Sequence, residues 1–332
     1  AEGLSAARRM RASMHWRDLV RRRQPEVWAG LHLTVQAPVR PALVVSVCPP
    51  DRIRVGTEER PMLWARVEPD YFGVDLLRSA SPASPAIIPP ITAAEVRALH
   101  SDDPVRTAAA WARHFAQALT RSDRSPLAQG EWLLQPTLHG LERARMPLTL
   151  ASDALARPAV DTLDWSSVTH GECLPPVLLR APSLATDGRV KAWARQARAG
   201  SLPPVLLMWV SGLQAHVVLD GHDRLQAAVQ EGADVPVLVL LRHGERCVDE
   251  QGLARADIIV ERSGGADMTV EARNRLLLDL YSPARDVLPS RADLMRGGVD
   301  QWIAEVDAEA RQGEDVQIND PLTRGLLAQL KG

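Results

Sequence analysis

The stretch that decides the fold is residues 205–240, VLLMWVSGLQAHVVLDGHDRLQAAVQEGADVPVLVL. It opens with a continuous apolar run of strand length at residues 205–210. The Ser-Gly pair that follows is typical of a turn, so residues 216–220 are predicted to return as an antiparallel partner strand. The stretch therefore begins with a predicted β-hairpin.

A helix and a third strand are predicted to follow the hairpin. From Gly221 onward the apolar residues recur at helical spacing, and Gly232 is placed to end the helix in a left-handed conformation. Residues 235–240, VPVLVL, form another continuous apolar run and predict a buried strand. The order strand, strand, helix, strand indicates an α/β core.

The junction between the second strand and the helix, residues 220–224 (Asp-Gly-His-Asp-Arg), is the candidate site. Its amide groups would be the unpaired donors of a helix N-terminus, which together with the helix dipole favour an anion. Gly221 has no Cβ and would let a ligand approach the backbone. Arg224, in the first helical turn, could add a guanidinium contact to a phosphate. The junction therefore predicts a phosphate site.

An internal ion pair is the alternative role for Arg224. A cation at a helix N-terminus is mildly unfavourable without a counter-charge, so Arg224 either meets a ligand or pairs with Asp220 or Asp223. A residue in the first helical turn is expected to contribute little to the core, so its removal should spare the fold.

The segment 174–240 resembles the ParB/sulfiredoxin-like nucleotide-binding domain family. The matching pieces, in chain order, are VLLR (177–180), a helix within 187–199, PPVLLMW (203–209), HVVLDGHDR (216–224), the helix LQAA and VPVLVL (235–240). Members share a Gly-x-x-Arg signature after a strand, and the helix N-terminus there holds the phosphates of ATP, ADP or CTP. The order of all these pieces is more specific than the signature alone.

The positions at which this chain departs from the family pattern indicate which branch of the family it resembles. Sulfiredoxins carry a catalytic Cys directly after the signature Gly, where this chain has His222. Partition proteins place Glu-Arg-Arg there and add a helix-turn-helix domain, and neither is recognised here. The motif Asp-Gly-His-x-Arg is similar to that of the free-serine-kinase branch and its uncharacterised relatives. Those kinases use a Glu in the loop before the first helix, whereas the loop at 181–188 offers only Asp187 as an acid.

The resemblance implies roles for the residues of the junction. The candidates for holding the nucleotide are Gly221, His222, Asp223 and Arg224. The catalytic candidates are Asp187, Asp220, His222 and Asp223. In this interpretation Asp220 or Asp223 positions Mg²⁺ or serves as a base, with Asp220 as the metal candidate, and His222 is an acid/base or phosphate contact.

Two functions follow from these roles. The preferred one is an ATP- or ADP-dependent phosphotransferase or nucleotide hydrolase that acts on a small molecule. The alternative is a non-catalytic factor with the same fold, either nucleotide-gated and regulatory or interacting with protein or DNA. Fold alone does not decide between them, so whether the chain is an enzyme stays open.

Composition limits the class of protein. The 332 residues predict two or three domains, and 45% hydrophobic with 24% charged residues is ordinary for a globular protein. A net charge of −2 gives no general attraction to nucleic acid or anionic membrane. The three cysteines predict no disulfide framework and favour a reducing cytoplasm, and there is no 18-residue apolar run for a membrane span. Arginine greatly outnumbers lysine, which favours a GC-rich bacterial genome.

Three regions are predicted along the chain. An N-terminal α+β region covers residues 1–165, and the ParB/sulfiredoxin-like mixed-sheet core covers 166–246. A mainly helical region covers 247–332, with its strongest helix signals at 270–280 and 299–310. The basic segment 4–23 predicts a solvated helix with one packed face, and a nucleic-acid arm is its alternative. The acidic balance beyond residue 268 argues against nucleic acid as a partner.

Helix signals occur in the first two regions. Thr92 and Glu95 have capping-box spacing, Pro104 predicts the start of an amphipathic helix, and Asp187 is placed to cap another helix.

Overall fold

The computed structural model shows a mixed α/β protein with two mixed β-sheets, and its described part holds five α-helices. The described residues are 13–21, 24–36, 40–67, 73–79, 86–137, 149–150, 163–167, 176–181, 183–245, 269–271 and 285–313. The helices are α1 (Ala93–Leu99), α2 (Pro104–Arg121), α3 (Gly188–Arg198), α4 (His222–Glu231) and α5 (Gly298–Gly313).

Fifteen strands lie within these ranges. They are β1 (Ser13–Arg21), β2 (Gln24–Gln36), β3 (Val44–Cys48), β4 (Arg52–Gly56), β5 (Pro61–Val67), β6 (Gly73–Arg78), β7 (Gly130–Gln135), β8 (Thr149–Leu150), β9 (Leu163–Ser167), β10 (Val177–Leu178), β11 (Val205–Val210), β12 (Ala215–Asp220), β13 (Val235–Glu245), β14 (Arg285–Val287) and β15 (Ala292–Leu294). The larger sheet has the order β1-β2-β7-β13-β11-β12-β10, and β8 and β14 also pair with β13. The smaller sheet has the order β15-β3-β4-β5-β6-β9.

The predicted core unit at 205–240 is confirmed. β11 and β12 form an antiparallel hairpin through a short 3₁₀ turn at Ser211–Leu213, and α4 follows β12 directly. Gly232 ends α4 in the left-handed conformation, and β13 then returns parallel to β11. The apolar runs that predicted the strands are buried, as expected for strands of a sheet whose two faces are both covered.

The larger sheet joins the regions on either side of residue 165. β13 pairs antiparallel with β7, and β7 pairs antiparallel with β2, so main-chain hydrogen bonds run from the core unit into the N-terminal region. In the smaller sheet β15, from the C-terminal region, pairs with β3. Strands of all three regions are therefore interleaved in the two sheets.

The basic segment is a strand where the structure describes it. Ser13–Arg21 pairs antiparallel with β2, so the predicted helix is wrong for these residues, and the rest of 4–23 lies outside the described residues. Pairing with the long strand β2 outweighs the helical propensity of the segment, since tertiary context routinely overrides it. Asp18 anchors this edge strand, because its carboxylate accepts hydrogen bonds from Trp28 Nε1 at 2.9 Å and from Arg113 at 2.6 Å.

The predicted helix signals of the first two regions are confirmed. Thr92 and Glu95 form the reciprocal capping box of α1. α2 starts at Pro104 with Asp103 as its cap, and α3 is capped by Asp187. Each of these signals is local, which is why it could be read from the sequence.

The last helix, α5, packs on the smaller sheet. Its Trp302 and Val306 are fully buried beside Cys48, Trp64 and Leu77. The indole Nε1 of Trp302 donates a 3.0 Å hydrogen bond to the carbonyl of Ile53 on β4. The helix predicted near residues 299–310 is thus confirmed. Of the other helix predicted in this region, at 270–280, only 270–271 are described, and they are helical.

None of the helices within the described ranges combines the length and the apolar character that crossing a bilayer requires.

Trp302→Ala is expected to lower the free energy of unfolding by about 3–5 kcal/mol, because it removes a fully buried indole and leaves a cavity. Urea unfolding measures the change. Trp16→Ala is the matched control: this indole lies exposed on edge strand β1, so a change within about 0.5–1 kcal/mol is expected. Equal losses in both variants would contradict the packing described for α5.

Candidate functional site

The junction at 220–224 lies where β12 ends and α4 begins. Gly221 is the N-cap of α4 with φ of +101°, a left-handed conformation that favours glycine. A Cβ placed on Gly221 would lie 2.7 Å from Nη2 of Arg224. The space beside the Gly221 backbone, which the sequence suggested for a ligand, is thus bordered by the guanidinium of Arg224.

Arg224 is buried and internally paired. Only 2% of its side chain is exposed, and its Nη2 donates to Asp220 Oδ2 at 2.7 Å and to the carbonyl of Pro204 at 2.9 Å. Its guanidinium also lies 5.5 Å from the ring centroid of Trp193 on α3. The sequence left two roles open for Arg224, contact with a ligand or an internal ion pair, and the structure shows the ion pair. The expectation that Arg224 contributes little to the core is wrong, because the first turn of α4 faces inward.

Asp223 binds a second set of cationic and polar groups. Its Oδ1 accepts hydrogen bonds from Arg180 at 2.6 Å and from Ser183 Oγ at 2.7 Å, and its Oδ2 lies 3.4 Å from Arg189 Nε. Burial by itself would raise the pKa of Asp223, but these hydrogen bonds and the two positive charges outweigh it and hold that pKa below its usual value. Asp223 is therefore an anion that orders two arginines.

His222 is a buried, neutral imidazole. Its Nε2 accepts the backbone N–H of Leu179 at 3.3 Å. Burial, followed by the positive charge of Arg180, lowers the pKa of His222 to about 3, with smaller contributions in the same direction from Arg78 and Arg224. At neutral pH the ring therefore has no proton on Nε2, and it acts there as a hydrogen-bond acceptor.

Asp187 acts as a helix cap. Its Oδ1 accepts the backbone N–H of Arg189 at 2.7 Å, and its side chain is exposed. Because Arg189 reaches Asp223, the N-terminal turns of α3 and α4 meet around that carboxylate. Asp187 caps the same turn of α3 that carries Arg189, while Asp220 pairs with the buried Arg224.

Sequence reasoning missed Arg180, Ser183 and Arg189 as members of this site. Arg180 ends the VLLR piece of the family resemblance, and Ser183 follows it in the loop, so their position after a strand was an available signal. Arg189 carried no such signal, since an exposed arginine in the first turn of a helix is common on protein surfaces. Only the packing of α3 against α4 reveals its partner.

Arg224→Ala is expected to lower the free energy of unfolding by about 3–5 kcal/mol, because it removes a buried side chain that packs against Trp193 and leaves the partly buried Asp220 without its cation. Chemical denaturation measures this loss. Arg189→Ala is the comparison: half of that side chain is exposed, so its ion pair should contribute at most about 1 kcal/mol. Similar losses of unfolding free energy in the two variants would show that Arg224 is not a buried ion-pair partner of Asp220.

His222 is expected to make the fold sensitive to mild acid. The pKa of His222 is about 3 in the folded protein and about 6.5 in the unfolded protein. Between these two pH values His222 is protonated in the unfolded state and neutral in the folded state. Stability is complete above pH 6.5 and declines as the pH falls toward 3, with a loss of about 2 kcal/mol between pH 7 and pH 5.

His222→Gln tests this pH dependence, since a glutamine oxygen can still accept from Leu179 and does not titrate. Denaturation at pH 7 and pH 5 should show a smaller loss in the variant than in the parent. His114, whose pKa burial also lowers, is present in both proteins and cancels. An equal loss in parent and variant would exclude His222 as its source.

Comparisons of the chain with models of protein families, with curated proteins and with solved structures found no match. The likeness of residues 174–240 to the ParB/sulfiredoxin-like family therefore stays a prediction from the residues themselves.

Proposed function

We propose that this is a nucleotide-binding protein in which the N-terminal turns of α3 and α4 receive the phosphates of ATP, ADP or CTP. The observation that carries the proposal is the convergence of Arg180 and Arg189 on Asp223 at the start of α4. Their side chains are 29% and 49% exposed, so both guanidiniums keep donors that a phosphate could reach from solvent.

The local field supports the same ligand. The pKa of His222 is lowered by burial and then by Arg180, Arg78 and Arg224, and only Asp223 opposes them. Burial disfavours a charge of either sign, so only the contributions of the three arginines count in favour of an anion, and the dipole of α4 adds to them. The chain's net charge of −2 does not describe this region.

The contacts of the candidate catalytic groups favour binding over turnover. Asp220, the candidate for Mg²⁺ and for a base, pairs with Arg224, and Asp223 is held by two arginines and a serine. His222, with a pKa of about 3, has no proton to donate at neutral pH. We therefore propose that the protein is non-catalytic and acts as a nucleotide-gated regulatory or interaction factor. We propose a cytoplasmic location for it.

Phosphotransfer or nucleotide hydrolysis with a small-molecule acceptor is the competing function. It requires a carboxylate that exchanges its arginine for Mg²⁺ or for an acceptor hydroxyl when the nucleotide binds. The exposed carboxylate of Asp187, at the start of α3, is the group that favours this function.

Calorimetric titration with ATP, ADP and CTP, with and without Mg²⁺, tests the proposal. Arg189→Ala should weaken binding of the preferred nucleotide by about 1.5–3 kcal/mol, the range for hydrogen bonds to a charged group. Arg198→Ala is the matched control, since Arg198 is another exposed arginine of α3 and pairs at 2.6 Å with Glu231. Its removal should leave the affinity unchanged.

Two outcomes would contradict the proposal. One is that the parent protein binds none of the three nucleotides, and the other is that both arginine variants bind as the parent does. Release of ADP or phosphate from the bound nucleotide, measured in the same samples, would establish the competing enzymatic function.

A further inference from the structure

A second group of chemically reactive side chains lies on the larger sheet, at His32 of β2, Glu131 of β7 and His243 of β13. The three strands are direct neighbours, and Glu131 stands opposite Thr34 on one side and His243 on the other. His32 is two residues from Thr34 on the same strand, so it shares that face of the sheet. We refer to these three residues as the His–Glu–His group.

The reactive atoms of the group converge. Nε2 of His32 lies 3.6 Å from Oε2 of Glu131, and Nδ1 of His243 lies 4.0 Å from the same oxygen. The two imidazole rings are 5.4 Å apart between centroids and nearly perpendicular, at 85°. One potential ligand atom from each residue lies within 4.8 Å of the other two.

We propose that the His–Glu–His group binds a divalent transition-metal ion of the Zn²⁺ type. Ligands at about 2.0–2.2 Å from one zinc ion are separated by about 3.0–3.5 Å from each other. The two nitrogen–oxygen separations of 3.6 and 4.0 Å are slightly longer than this, and the three ligand atoms lie within 4.8 Å of one another, so the side chains would draw together around the ion. The approach of both nitrogens to a single carboxylate oxygen is what one shared ion requires.

The ligand types select the class of metal. Two imidazoles and a carboxylate suit zinc, iron, copper and nickel, whereas Mg²⁺ and Ca²⁺ prefer oxygen ligands throughout. Two neutral histidines and one carboxylate also leave the bound ion with a net positive charge. The proposed site therefore differs in chemistry, as well as in place, from the Mg²⁺ predicted at Asp220.

The number and exposure of the ligands give the site an open side. Three protein ligands leave at least one coordination position for water or another ligand, which is the arrangement of catalytic rather than structural zinc sites. His32 and His243 have 5% and 14% of their side chains exposed, against 29% for Glu131, so solvent reaches the group at Glu131. Their strands lie inside the nine-stranded sheet, which holds the ligands in fixed relative positions.

Titration of the chelator-treated full chain with Co²⁺, followed by competition with Zn²⁺, tests this site. The parent should bind a single equivalent of Co²⁺ with the intense visible absorption of a four- or five-coordinate ion, and Zn²⁺ should displace it. An excess of Mg²⁺ should not. Added Zn²⁺ should also raise the melting temperature of the parent, because it binds the folded state preferentially.

Glu131→Gln and His243→Asn should each weaken Co²⁺ binding by at least about 100-fold, since changes outside the ligand set already cost about 10- to 100-fold. The matched control is His114→Asn, because His114 lies 4.0 Å from Glu95 in a histidine–glutamate pair to which the described residues add no third ligand. Its binding should equal that of the parent. Melting curves without metal confirm that each variant is folded.

Absence of Co²⁺ uptake by the parent would overturn the proposal, as would uptake that survives both ligand substitutions. The group would then be a polar cluster of the sheet, and zinc would leave the melting temperature unchanged. Neither result depends on nucleotide, so this test is separate from that of the α3–α4 site.

Discussion

The buried ion pair between Asp220 and Arg224 is the interaction on which the core unit depends. Taking both charges out of water is costly, and the geometry offsets that cost with a 2.7 Å contact, a hydrogen bond to Pro204 and the face of Trp193. These contacts tie the end of β12, the first turn of α4, the approach to β11 and the inner face of α3 to one guanidinium. Gly221 suits this position for two reasons: its backbone is left-handed, and a Cβ would lie 2.7 Å from that guanidinium.

The burial of Arg224 also illustrates which features of the structure could be predicted from the sequence and which could not. Local signals predicted the hairpin, α4 and the caps of α1 and α3, since these depend on residues within a few positions of one another. Depth of burial is not local, so Arg224 looked like a surface residue. The segment 13–21 was predicted as a helix from its charge pattern, although the hairpin with β2 that overrides this pattern closes locally, with Arg21 opposite Gln24. His32, Glu131 and His243 have no short spacing, and only the register of three strands brings them together.

The two candidate sites differ in how much freedom their polar groups retain. At the junction each carboxylate holds arginines, so a ligand must use the exposed parts of Arg180 and Arg189 rather than the acids. This arrangement suits recognition of an anion, and it leaves the paired carboxylates poorly suited to proton transfer. On the larger sheet, by contrast, the nitrogens of two histidines approach one carboxylate oxygen, which suits a cation.

Local charge therefore matters more here than the balance of the whole chain. A net charge of −2 predicts no preference for either sign of ligand. Around His222, after burial, the charges of Arg180, Arg78 and Arg224 all act against a proton on the ring, and Asp223 compensates only in part. Asp223 lies in the first turn of α4, so its carboxylate offsets part of the positive end of that helix dipole. The exposed portions of Arg180 and Arg189 are the part of this positive charge that faces solvent, which is the physical reason to look for phosphate at this junction.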